Sequence, residues 1–258
     1  MSKTGLLLVG HGTRNDQGAE QFQVLTAVLK KQLPHFVVAG CFLELRPPTM
    51  EQAWQTLIEA GVTEVAVQPL LLFSAGHAKQ DIPDAVDKLA TPDIPVRYGR
   101  PLSRERNLVT LVCRTAANLL AELSPPQGSV SRTALVMVGR GSFDPCAQAD
   151  MRLLAETVWR TVNEQLPSGS AGFLSVDTAF YAMAQPRLPE VLREVCSRGN
   201  VQDVIVQPHL LFAGQLHYAI EAQVQEVADQ FPSKRILVGQ PLGPDPLIAA
   251  SVCNRIQE

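Results

Sequence analysis

Two histidines and one glutamate stand in surroundings that call for an explanation. His11 lies between glycines in Gly10-His11-Gly12-Thr13, Glu44 interrupts the apolar run Phe42-Leu43-Glu44-Leu45, and His77 closes Ser74-Ala75-Gly76-His77. Imidazole and carboxylate together suit a divalent first-row metal, and the imidazole also titrates near neutral pH, where it can accept or deliver a proton. One histidine after a strand would be read as an ordinary loop residue. A charged carboxylate among apolar neighbours is costly unless it is paired or belongs to a site. His11, Glu44 and His77 are therefore the candidate catalytic set, suited to holding a metal or to moving protons.

Arginines recur near the same points of the chain. Arg14 and Arg46 follow His11 and Glu44 closely, Arg100 follows a later apolar run, and Arg104 and Arg106 come just beyond it. A guanidinium keeps its charge and grips carboxylates bidentately, so such a series implies an anionic ligand. His35, in a loop after Leu33-Pro34, reads as solvated surface.

The elements that must position these groups alternate in type. Gly5 to Val9, Phe36 to Leu43, Glu64 to Phe73 and Val96 to Tyr98 read as strands. The segments between them, Gln17 to Leu33, Pro48 to Ala60 and a stretch opened by Asp81 and Pro83, read as helices, and Arg104 to Leu123 closes the series. Strands apolar on both faces, alternating with helices, imply a parallel sheet covered on both sides. All strands then point one way, so His11, Glu44 and His77 emerge at the same carboxyl edge, where ligands bind in such sheets.

The pattern then repeats. Leu6-Leu7-Leu8-Val9-Gly10-His11-Gly12-Thr13 returns as Ala134-Leu135-Val136-Met137-Val138-Gly139-Arg140-Gly141-Ser142. Val67-Gln68-Pro69-Leu70-Leu71-Leu72-Phe73 returns as Val206-Gln207-Pro208-His209-Leu210-Leu211-Phe212, and Gly99-Arg100-Pro101-Leu102 as Gly239-Gln240-Pro241-Leu242. The fold class expected is α/β: two similar doubly wound domains, each a mostly parallel four-stranded sheet flanked by helices, with an active-site cleft between them. Residues 1–125 form the first domain and 130–258 the second, with Ser124 to Ser129 as linker. The second half has lost the reactive set, since Arg140 replaces His11 and Glu44 aligns near Ala182. Arg140 and His217, the latter matching His77 after one insertion, join Arg14, Arg46 and Arg100 as candidate substrate-binding residues, whereas His209 falls inside a strand.

Composition narrows the partners. The 258 residues carry a formal net charge of -3 and a pI near 6.0, which argues against a nucleic-acid surface. No apolar run reaches the ~20 residues of a membrane span, and the N-terminus lacks a signal peptide, so a cytoplasmic protein without a membrane partner is expected. The five cysteines are scattered without a Cys-x-x-Cys pair, which predicts free thiols and no resident metal cluster.

These motifs resemble one family. Gly10-His11-Gly12-Thr13-Arg14, the Glu44 strand end, the stretch from Gln68 through His77 to Pro83, and Gly139-Arg140-Gly141-Ser142-Phe143-Asp144-Pro145 are together similar to the sirohydrochlorin chelatases of the CbiX and SirB type in their long, two-domain form. The resemblance spans nearly the whole chain. It implies insertion of Co2+ or Fe2+, as substrate and not as bound cofactor, into sirohydrochlorin on the way to cobalamin or sirohaem. It also implies that His11 and His77 handle the metal and that Glu44 is their acidic partner. With two fused domains a monomer is expected. Two rivals are weighed: a non-catalytic tetrapyrrole or metal carrier, and a histidine phosphatase, which would want an arginine directly beside His11 where Gly10 and Gly12 stand.

Overall fold

A computed structural model describes residues 3–74, 76–123, 128 and 130–258, except for the side chain of His77. The expected linker, Ser124 to Ser129, lies outside the described residues apart from Gly128. The first repeat runs β1 (Thr4–Gly10), α1 (Asp16–Gln32), β2 (Phe36–Phe42), α2 (Met50–Glu59), β3 (Glu64–Leu70), a π-helical turn (His77–Asp81), α3 (Ile82–Asp87), β4 (Val96–Tyr98) and α4 (Arg106–Glu122). The second runs β5 (Thr133–Gly139), α5 (Pro145–Gln165), β6 (Phe173–Phe180), α6 (Leu188–Ser197), β7 (Asp203–Pro208), α7 (Gln215–Ala228), β8 (Arg235–Val238) and α8 (Pro246–Arg255).

Each repeat builds its own four-stranded parallel sheet, in the orders β2-β1-β3-β4 and β6-β5-β7-β8. Alternation along β1 divides the first core. Leu7 and Val9 face Trp54 and Leu57 of α2 and Ile82 and Val86 on α3. Gly10, turned the other way, abuts the ring of Phe22 on α1, where a Cβ would come within 3.0 Å. In the second sheet Val136 and Val138 pack with Leu188 and Leu192 of α6 and Ile220 and Val224 of α7. Among the described residues no helix is long and apolar enough to cross a membrane.

Two strands are shorter than their apolar runs. β3 ends at Leu70 because its neighbour β1 ends at the paired Gly10, so Leu71 to Phe73 have no ladder to join. β7 ends at Pro208, which places His209 just past the strand and not inside it, although His209 N–H still donates to the Val138 carbonyl of β5 at 2.8 Å.

The compact units do not follow the two sequence halves. One unit holds the chain up to Leu108 with Phe212–Gly214 and Gly243–Glu258; the other holds Val109–Leu211 and Gln215–Leu242. In the first unit α8 packs on α1 and β3. In the second, the C-terminal part of α4 lies against the β8 end: Leu119 stands 2.8 Å from where a Cβ on Gly239 would be, and Arg235 Nη2 donates to the Leu123 carbonyl at 3.3 Å. Each sheet is thus covered by the closing helix of the other repeat.

Glu105 anchors the start of α4 within the first unit. It is buried, accepts from the backbone N–H groups of Asn107 and Leu108, and is held by the Ser251 hydroxyl and the Asn254 amide of α8. Burial alone would push this carboxyl up, but the hydrogen bonds from Ser251, Asn254 and the helix backbone outweigh it and bring it below the usual range.

Candidate functional site

The first two strands continue their contact past their formal ends. Leu43 N–H donates to the Gly10 carbonyl at 2.8 Å and Glu44 N–H to the His11 carbonyl at 3.1 Å, so both side chains leave the carboxyl edge of the sheet side by side. His11 Nε2 stands 3.5 Å from Glu44 Oε1, with the two side chains 28% and 49% exposed. A pair this open to solvent is reachable by a ligand and is not a buried structural bridge.

Glycine makes the approach possible. Gly12 has φ +113°, and a Cβ there would lie 2.0 Å from the Glu44 carbonyl oxygen. The chain then turns into α1: Thr13 Oγ1 accepts from Asn15 N–H, and Asn15 caps the helix by accepting from Gly18 N–H at 2.9 Å. The loop residues Phe212–Gly214 of the same unit close over this turn. Ala213 N–H donates to Gln21 Oε1 at 2.8 Å, and Phe212 meets the Phe22 ring edge-on.

The residue after Glu44 is unusual. Leu45 has φ +73°, a left-handed conformation that costs a non-glycine residue roughly 1–2 kcal/mol, yet its side chain is 50% exposed. Nothing in the sequence marked it, because leucine is not a residue that signals a turn.

The predicted arginines divide. Arg14 is exposed on the loop after His11. Arg46 is engaged with the start of α1, donating to the Asn15 carbonyl at 3.3 Å and to Asp16 Oδ1 at 3.1 Å. Arg100 follows β4 at the carboxyl edge, mostly exposed, and pairs with Glu258 at 2.7 Å; its carbonyl is held by buried Gln68 at 2.9 Å. Arg104 and Arg106 line an open hollow of about 410 Å³ together with Arg255 and Glu258.

His77 begins the π-helical turn after β3, so its backbone follows the third strand as the sequence implied; its side chain lies outside what is described. Among the described residues no group of three or more His, Cys, Asp and Glu side chains converges to hold a metal.

In the second unit the same backbone recurs with other side chains. Ala182 N–H donates to the Arg140 carbonyl at 2.8 Å, Gly141 has φ +93°, and Met183 stands at φ +57° where Leu45 does in the first repeat. Arg140 is thus the counterpart of His11, and exposed, while Ala182 is the counterpart of Glu44. His217, expected among the substrate-binding residues, is largely enclosed. It is only 3% exposed, with Nε2 at 3.3 Å from the Gly239 carbonyl, which leaves its imidazole little surface for a ligand. The cysteines are free thiols, as expected.

Comparison with known proteins shows the family. The family model described as CbiX matches residues 5–119 and again 134–258. The chain belongs to the CbiX family. Its two matched segments are the two repeats, so both halves of this CbiX chain derive from one domain type. A sirohydrochlorin ferrochelatase of Priestia megaterium is 34% identical over 226 residues, which cover 86% of this chain and 79% of that protein. A sirohydrochlorin cobaltochelatase from the same organism is 26% identical over 255 residues, covering 98% and 79%. Among solved structures, SirB from Bacillus subtilis with Fe3+ superposes with a TM-score of 0.80 at 28% identity, covering 99% of this chain and 95% of that one.

Proposed function

We propose that this CbiX chain inserts a divalent metal, Co2+ or Fe2+, into sirohydrochlorin with release of two protons, on the way to cobalamin or sirohaem. The observation that carries the reading is the His11–Glu44 pair, 3.5 Å apart and open to solvent at the carboxyl edge of a CbiX sheet. The metal enters as substrate and leaves in the product.

Insertion requires that two pyrrole N–H protons leave the ring and that the ion lose water before its four nitrogen bonds form. Neutral His11 offers a lone pair that can hold the ion at the ring face, and His77 is assigned the same task. Glu44 is close enough to His11 to accept a proton from the ring or to orient the imidazole. The carboxylates around sirohydrochlorin fit Arg14 and Arg100, and Arg46, on the loop that carries Glu44, would have to leave Asp16 to join them. Glu258 would have to yield Arg100 to such a carboxylate. With both repeats in one chain, a monomer suffices.

The experiment is anaerobic absorbance spectroscopy of sirohydrochlorin mixed with Co2+ or Fe2+. The protein should speed the spectral change beyond the protein-free rate, and His11→Ala and His77→Ala should each remove most of that acceleration. Tight binding of the ring without acceleration would make the protein a carrier. Running the two metals in competition identifies the preferred one.

A further inference from the structure

Leu45 and Met183 occupy equivalent places in the two repeats and share a conformation that neither residue type favours, with φ of +73° and +57°. Each follows the residue that donates across to the neighbouring strand end, Glu44 to His11 and Ala182 to Arg140. Their neighbours have diverged: Glu44 corresponds to Ala182 and Arg46 to Ala184. The left-handed apolar residue has stayed.

Glycine or asparagine would hold that backbone at lower cost. A bulky apolar side chain is therefore retained against its own backbone preference, and in the first repeat burial does not account for it. Leu45 is 50% exposed, and it follows Glu44 directly in the chain. Strain held at an exposed residue beside a reactive pair points to a role that is realised when ligand is present.

We propose that Leu45 is a substrate-contact residue, whose apolar side chain meets the face of the flat tetrapyrrole ring beside His11 and Glu44. The inference rests on the proposed function and adds to it a specific apolar contact. Arginines recognise the charged periphery of such a ligand, but its central face is apolar and must lie against apolar surface if the nitrogens are to sit over the His11–Glu44 pair. The left-handed turn lets Leu45 project from the loop while Glu44 keeps its hydrogen bond to the neighbouring strand end.

The test compares Leu45→Gly and Leu45→Ala with the wild-type protein in two measurements: absorbance titration with metal-free sirohydrochlorin, and urea unfolding. Both variants should bind the ring about fivefold to tenfold more weakly, as expected for losing part of one apolar side-chain contact. Leu45→Gly should unfold at the same or a higher urea concentration than wild type, because the backbone strain is relieved. Unchanged ring binding in Leu45→Gly would overturn the proposal, and so would a lower unfolding midpoint, since Leu45 would then be serving the fold. If the wild-type protein itself neither bound sirohydrochlorin nor accelerated insertion, the proposed function would fail with it; normal wild-type binding and insertion with an indifferent Leu45→Gly would remove only the Leu45 role.

Discussion

The α-carbon of Gly12 faces the carbonyl oxygen of Glu44 so closely that a Cβ would lie 2.0 Å from it. This contact locks the loop after β1 to the loop after β2, and with it the 3.5 Å separation of His11 and Glu44. Gly141 stands in the same relation to Ala182, at 1.7 Å. Gly12→Ala should destabilise the protein by about 2 kcal/mol or more, from the positive φ and the clash together, and should abolish accelerated metal insertion. Gly141→Ala should cost similar stability while leaving the His11–Glu44 pair in place. Urea unfolding alongside the insertion assay separates the two; equal activity in both variants would show that the Gly12 contact does not set the pair.

Glu105 makes a pH dependence at the acid end. Its carboxyl is held below the usual range in the folded protein, so the stability it contributes is complete above its unfolded pKa of about 4.3 and is lost as pH falls through the folded value. Glu105→Gln should cost roughly 1–3 kcal/mol at pH 7, and its deficit against wild type should shrink below about pH 4. Urea titrations at pH 7 and pH 3.5 measure both gaps, and a constant deficit would contradict the linkage.

His209 acts in a higher window. Burial lowers its pKa to about 4, against about 6.5 when unfolded, so the unfolded chain binds the extra proton between these values. Stability is full above about pH 6.5 and declines by roughly 3 kcal/mol as pH falls to 4. His209→Leu, which installs the residue that the first repeat has at Leu70, should flatten that decline. Its unfolding free energy at pH 5 and pH 7 should differ less than that of wild type.

Thiol reactivity should sort the cysteines. Cys146 is exposed near the start of α5, whereas burial, with the charge of Glu51 adding, pushes the buried Cys41 thiol up to about 12. Iodoacetamide at pH 8 should label Cys146 in the native protein within the time that leaves Cys41 untouched, and Cys41 should react only in denaturant. Mass spectrometry of tryptic peptides reads both sites.

Much of this molecule is legible from local pattern. Strand and helix periods, the Gly-His-Gly motif and the internal repeat lie in short stretches of sequence, and parallel strands must deliver His11 and Glu44 to one edge. What the sequence could not decide depends on contacts between distant segments. The closing helices α4 and α8 are amphipathic and follow similar β-strands, so their period says that each covers a sheet but not which one. Packing assigns them the opposite way to chain order. His217 aligned with His77 by residue type, yet its position in α7 buries it against the Gly239 carbonyl. Leu45 carries no turn signal, and its left-handed backbone arises where the loop bearing Glu44 is pinned to both His11 and Gly12. The sequence by itself determined which groups are present and the edge they share; tertiary structure decided which of them remain exposed, because exposure is set by neighbours far away along the chain.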